Sequence, residues 1–199
     1  MAIQATAHAA AGHPDEGMSR GMAGMVLFIS SEIMLFGGLF AGYFYVRNQA
    51  QAWPPEGVHE VDAVTGGILT VVLLISGVIA HIGVVGAKGG NYPLFILGIV
   101  GAIALGTIFI AGQAYEWFKL MDEGLTAESG VYGSTFFVMT GFHGAHVIAG
   151  LAMLFVVFVR AFWRDFTLTR HLFVDASVLY WHFVDVVWVF LYAILYVLV

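Results

Sequence analysis

Apolar residues in this chain do not alternate with polar ones; they run on. Five long apolar stretches can be read, roughly Met22 to Val46, Val64 to Ala87, Pro93 to Trp117, Val131 to Val159 and Leu172 to Leu198. Each reaches the ~20 residues a helix needs to cross the hydrocarbon of a bilayer. Strands of a transmembrane barrel would alternate over ~10 residues, so the pattern predicts helices instead. The expected fold is an all-α integral membrane protein, a bundle of five transmembrane helices formed by residues 22–199. Residues 1–21 stand apart as a flexible tail. They carry His8, His13, Asp15, Glu16 and a single base, Arg20, with no apolar core, so no removable signal is expected.

Composition agrees with a bilayer environment. The 199 residues are 60% hydrophobic and 10% charged, against ~45–50% apolar and ~25% charged in soluble domains. The loops are short and leave no room for a soluble domain between the spans. Trp53-Pro54-Pro55 marks a rigid turn in the first outer loop, and Tyr92-Pro93 opens the third helix where proline costs least. Helix interiors lack proline, so the broken helices of transporters are not signalled. Of the seven basic residues, Arg20, Lys88, Arg160, Arg164 and Arg170 fall on one side, and Arg47 and Lys119 on the other. That asymmetry predicts a cytoplasmic amino terminus and an outer carboxyl terminus. The net charge of -6 comes largely from Glu56, Glu60, Asp62, Asp122, Glu123 and Glu128 in the outer loops. Such a face is either simply solvated or attractive to a cationic soluble partner.

Gly38 and Gly42 on the first helix, and Gly98, Ala102 and Gly106 on the third, recur at the four-residue spacing of close helix contacts. Intramembrane ionisable residues are costly and need partners. Glu32 lies mid-span in the first helix, where it is read either as a hydrogen-bonded structural carboxyl or as a participant in proton uptake or lipid contact. Glu116 falls near the outer end of the third helix, where an interfacial, water-reaching position is expected. His143 and His146 share a face of the fourth helix, and His182 and Asp185 share one of the fifth. Asp175, His182 and Asp185 lie within ~80° at ~100° per residue, forming one polar stripe. Two readings are open: a metal site, or an interhelical hydrogen-bond network holding the fourth and fifth helices in register. The Glu-x-x-His pairs of di-iron bundles are missing, and the network is the expectation adopted.

Three blocks resemble the subunit III family of haem-copper oxidases, cytochrome c oxidase subunit 3. They are Ser31-Glu32-Ile33-Met34-Leu35-Phe36; Gln113-Ala114-Tyr115-Glu116 with the Gly130 to Val147 segment; and Tyr180-Trp181-His182-Phe183-Val184-Asp185-Val186-Val187-Trp188. They touch almost every helix in the family's order. Many members have seven helices, whereas this chain begins at what would be the third, as five-helix bacterial forms do. Asp175 stands where many members have Glu, and Leu179 where an aromatic residue is common.

The resemblance implies a subunit with no haem or copper of its own, those cofactors lying in partner subunits I and II. It implies packing on subunit I, stabilisation of that subunit through turnover, and support of proton uptake. Glu32 matches the family's buried carboxylate. Arg160 resembles a position that contacts lipid phosphate, and Arg164 beside it is a second candidate, so bound phospholipid is an expected companion. Cytochrome c as electron donor, residence in the bacterial cytoplasmic membrane and a place in a respiratory supercomplex are further expectations; nucleic acid is not a partner. Subunit III of a quinol oxidase and an accessory subunit of nitric oxide reductase are alternatives within the wider family. Outside it stands a small proton-coupled transporter using Glu32, His182 and Asp185. The chain has no cysteine, so a thiolate copper centre is excluded.

Overall fold

The computed structural model describes residues 19–55, 61–163 and 171–198. Its helices are α1 (Arg20–Gln49), α2 (Ala63–Lys88), α3 (Tyr92–Asp122), α4 (Val131–Phe162) and α5 (Leu172–Tyr192). A π-helical turn, Ala193–Val197, continues α5. All five have the length and apolarity of membrane spans. At 1.5 Å per residue the 32 residues of α4 extend ~48 Å, enough to pass through the headgroups as well as the hydrocarbon. This accounts for the helices outrunning the apolar stretches at their ends.

Local chemistry sets the ends. Asp62 caps α2, its Oδ1 accepting from the Val64 amide at 2.9 Å and its Oδ2 from the Thr65 hydroxyl at 2.7 Å. The Thr65 and Val64 bonds hold this exposed carboxyl below the usual aspartate range. Asp62 therefore serves as a helix cap, whatever else the acidic loops do. Asn91 caps α3 through the Leu94 amide at 3.2 Å, and proline follows at the start of the helix as expected. Both α2 and α3 end on glycines with positive φ, Gly90 at 71° and Gly124 at 90°. In each case the next residue's amide reaches five residues back, Asn91 to Gly86 and Leu125 to Leu120, both at 2.9 Å. A side chain at either glycine would strain that closure.

α5 is the central helix: 61% of its apolar window is buried inside the bundle, against 6% for α1. It packs on α4, α2 and α1, while α2 and α3 form a tight hairpin and α3 continues onto α4. α2 and α5 run antiparallel. Trp188 Nε1 donates to Thr70 Oγ1 at 2.9 Å, and Trp181 Nε1 to Ser76 Oγ at 3.0 Å. Nearer the other end Lys88 pairs with Asp175 at 2.9 Å. The Trp181 ring lies where side chains at Gly106 and Gly150 would stand, so glycines on α3 and α4 make room for the largest residue of the core.

The small-residue expectation divides. A Cβ on Gly98 would lie 2.5 Å from the Gly83 backbone of α2, so the hairpin's backbones approach closely here. On α1 the expectation fails, because among the described residues no neighbouring atom lies within 4 Å of where a Cβ on Gly38 or Gly42 would stand. Those glycines face away from the bundle.

Candidate functional site

The expected polar residues form several separate contacts. The first joins α1 to α4. His146 Nε2 lies 2.8 Å from Glu32 Oε2, and His146 Nδ1 lies 2.6 Å from the Phe142 carbonyl oxygen. A carbonyl only accepts, so Nδ1 carries a proton. The remaining contact then holds one proton between imidazole and carboxyl, as imidazolium with carboxylate or imidazole with carboxylic acid. Either arrangement is neutral as a pair, which answers the objection to a lone carboxylate in an apolar span. Phe36 meets the imidazole edge-on at 5.0 Å, and the Tyr180 hydroxyl donates to the His146 carbonyl at 3.4 Å. The pair is α1's polar anchor at mid-height. At the end of α1 nearer Gln49, Tyr43 donates to the Ile194 carbonyl, Trp53 Nε1 donates to Tyr43, and Arg47 donates to the Leu198 carbonyl.

The second contact lies between α5 and α2. His182 Nδ1 is 3.5 Å from Asp185 Oδ2, and the carboxylate occupies the space that a side chain at Gly77 of α2 would need. The His81 ring is centred 6.0 Å from that of His182. Asp175 sits lower on the same side, with Lys88. The stripe on α5 therefore faces α2, not α4 as the register network supposed. A helical stripe fixes direction relative to its own helix, and the neighbour it meets depends on packing.

His143 belongs to neither contact. It is fully buried, stacked on Trp188 at 5.0 Å with the Phe109 edge at 5.8 Å, and neither ring nitrogen has a partner in the structure. The residues once candidates for a metal thus point into three environments. Among the described residues no group of three or more His, Cys, Asp or Glu converges on a metal position.

Glu116 departs from the interfacial expectation. It is 3% exposed, and its Oε2 accepts the Tyr196 hydroxyl at 2.8 Å. Helix α3 runs on to Asp122 and the π-helical turn brings Tyr196 over the carboxyl. Tyr196→Phe should cost about 1–3 kcal/mol, because Oε1 already lacks a partner and the substitution strips Oε2 as well. The thermal midpoint of the purified chain reads this; an unchanged midpoint would remove the bond's structural role.

Sequence reasoning missed a further tie. Gln113 Nε2 donates to the Thr140 carbonyl at 2.9 Å, and Trp117 Nε1 to Thr140 Oγ1 at 3.2 Å, joining α3 to α4. Gln113 and Trp117, one turn apart, were the available signal. Arg160 lies with its guanidinium 5.6 Å from the Phe173 ring centre, and Arg164 lies outside the described residues.

The match of the chain to known proteins decides the family. The family description "Cytochrome c oxidase subunit III" matches residues 3–199. The chain belongs to that family. Relatives called cytochrome c oxidase subunit 3 include one from Corynebacterium diphtheriae, 41% identical over 176 residues, 87% of this chain and 85% of that protein. Another, from Synechocystis, is 39% identical over 197 residues, 96% of this chain and 80% of its own. The Equus caballus protein is 40% identical over 192 residues, covering 93% and 72%. As a cytochrome c oxidase subunit III, the chain is a multi-pass membrane component of a respiratory oxidase.

Proposed function

We propose that this chain is the non-redox subunit III of a bacterial aerobic oxidase in the cytoplasmic membrane. The complex would oxidise cytochrome c, reduce oxygen to water and pump protons. Within it the chain steadies subunit I and supports proton uptake, with haem and copper in subunits I and II. Five spans put the termini on opposite sides, and the basic residues favour an amino terminus in the cytoplasm. Arg160 and Arg164 are assigned to lipid phosphate, since a planar guanidinium engages two oxygens while its stem stays among apolar groups.

The Glu32–His146 pair carries the proton-uptake part of this reading. It holds one proton between two atoms 2.8 Å apart, towards the middle of α1. Glu32→Gln keeps a donor for the imidazole but removes the titratable group. The oxidase should stay assembled and haem-loaded while its lifetime during turnover shortens. Unchanged turnover lifetime together with unchanged lipid content would remove Glu32 from any functional role.

The assignment itself is tested by a visible spectrum and mass spectrometry of material purified through a tag on this chain in mild detergent. Haem absorbance with subunits I and II is expected, and a copper-thiolate domain in subunit II marks cytochrome c as donor. A colourless, solitary protein would transfer the assignment to a proton-coupled transporter.

A further inference from the structure

Where α2 begins and α3 ends, the two helices leave a cavity of about 230 Å³, lined by Asp62 and Thr65 of α2 and by Tyr115, Glu116, Lys119 and Glu123 at the end of α3. Glu116 is the buried member of this lining. Its Oε2 holds the Tyr196 hydroxyl, and its Oε1 has no hydrogen-bond partner among the described residues. Six residues separate it from Asp122, ~9 Å of helix, so water at the end of α3 is close. The other two acids of the lining are already engaged. Asp62 commits both oxygens to the cap of α2, and Glu123 Oε1 lies 4.0 Å from Lys119 Nζ.

Lys119 stands between two carboxyl groups of its own chain segment. Glu116 precedes it by three residues and Glu123 follows it by four, so both lie on its side of the helix. The pair with Glu123 is long, and the lysine side chain is 50% exposed; such a surface pair contributes little and is lost at little cost. Lysine carries three rotatable donors on a flexible four-carbon stem, and this one lines the same cavity as Glu116.

What Oε1 needs depends on the proton. In a carboxylic acid it is served by a water in the cavity. In a carboxylate it carries charge at a site screened from bulk water, where a cation acts more strongly than at the surface. Lys119 is the one basic side chain in the cavity lining among the described residues. The remaining ionisable neighbours offer no second cation: Asp62 faces Glu116 from α2, Tyr115 lines the cavity from α3, Tyr196 already donates to Oε2, and Tyr132 of α4 acts on Tyr196.

We infer that Glu116 is a proton-binding site read out by Lys119. With the carboxyl protonated the ammonium pairs with Glu123 at the surface, as in this structure; on loss of the proton it turns into the cavity and pairs with Oε1. The bond that breaks is the carboxyl O–H, and its proton passes to water in the cavity. Movement of the lysine has a consequence beyond the cavity. Tyr196 belongs to the turn Ala193–Val197, and the carbonyls of Ile194 and Leu198 accept from Tyr43 and Arg47 of α1. A hydroxyl bound to a carboxylate is held more tightly than one bound to a neutral acid. The turn, and the attachment of α1 to it, is therefore firmer above the titration of Glu116 and loosens as pH falls through it. The inference concerns this chain's own residues and does not rest on the oxidase reading.

Lys88 and Lys119 are the lysines of the chain, which makes a ratio measurement possible. Material purified through a tag on this chain, with whatever subunits accompany it, is treated briefly with an amine-acetylating reagent between pH ~5.5 and ~8.5, and each lysine is read by mass spectrometry. Both amines react faster as pH rises, so the ratio of Lys119 to Lys88 isolates the withdrawal of Lys119. In the wild type the ratio should fall by about threefold or more across the range, as the ammonium leaves the surface. Glu116→Gln keeps the shape without the titration, and its ratio should not show this fall. Coincident profiles of the two proteins overturn the proposal. In the second arm Lys119→Met removes the charge at an exposed position, where folding is not at stake. Hydrogen-exchange protection of the amides in Ala193–Val197, corrected for the intrinsic rate, should rise with pH in the wild type and lose that dependence in Lys119→Met. Wild-type protection that ignores pH, or an equal dependence in the variant, overturns the link between the lysine and the turn.

Discussion

His146→Leu is expected to loosen α1 from the bundle, and adding Glu32→Leu is expected to restore most of what was lost. α1 buries little of itself in this chain, so its mid-height attachment rests heavily on the single contact between His146 and Glu32 at 2.8 Å. Removing the imidazole alone leaves a carboxyl with 17% of its side chain exposed and no partner. The cost should be about 1–3 kcal/mol, read as a lower thermal midpoint and earlier proteolysis between α1 and α2. Replacing both groups removes the unsatisfied carboxyl with its partner, and two leucines suit an apolar contact, so the double variant should lie near the wild type. The coupling energy between the two positions should then exceed ~1 kcal/mol. If the two single costs merely add, the pair does not hold α1, and the contacts of Tyr43, Arg47 and Trp53 near the end of the helix are sufficient.

That pair also shows where sequence reading stops. The five helices were legible because hydrocarbon demands long apolar runs, and the start of α3 was legible because Tyr92-Pro93 admits few other roles. Glu32 and His146 were each recognised as polar residues needing partners. Their union was not, since 114 residues separate them and nothing in either segment names its neighbour. The stripe Asp175, His182 and Asp185 was correctly placed on one face of α5 but assigned to the wrong helix, because periodicity gives an angle and packing chooses what lies along it. Glu116 was misplaced for another reason. Its distance from the helix end suggested water, whereas a tyrosine in a π-helical turn 80 residues later covers it. Trp181 and Trp188 were read as part of a resemblance; their hydrogen bonds to Ser76 and Thr70 became visible only once α2 and α5 were known to run antiparallel.

The two small-residue stripes were indistinguishable as sequence, and a pair of substitutions should separate them. Gly98→Val places its Cβ where the nearest atoms are Gly83 Cα and N at 2.5 Å and the Ile79 carbonyl oxygen at 2.9 Å. These are backbone atoms of a helix, so no rotamer change relieves the overlap and α2 must move off α3. The cost should lie at or above the upper end of the ~1–3 kcal/mol typical of overpacking. The displacement would also reach the site, since α2 carries Thr70 and Ser76 for the two tryptophans and Gly77 for Asp185. The amount of chain in the membrane should fall sharply, and whatever remains should melt early. Gly38→Val makes the same chemical change on α1, where the added Cβ meets nothing within 4 Å among the described residues, and it should leave yield and melting of the isolated chain as they were. Equal losses in the two variants would mean that α2 and α3 are not held by the approach of Gly98 to Gly83, and that glycine at these positions acts through helix propensity or insertion instead.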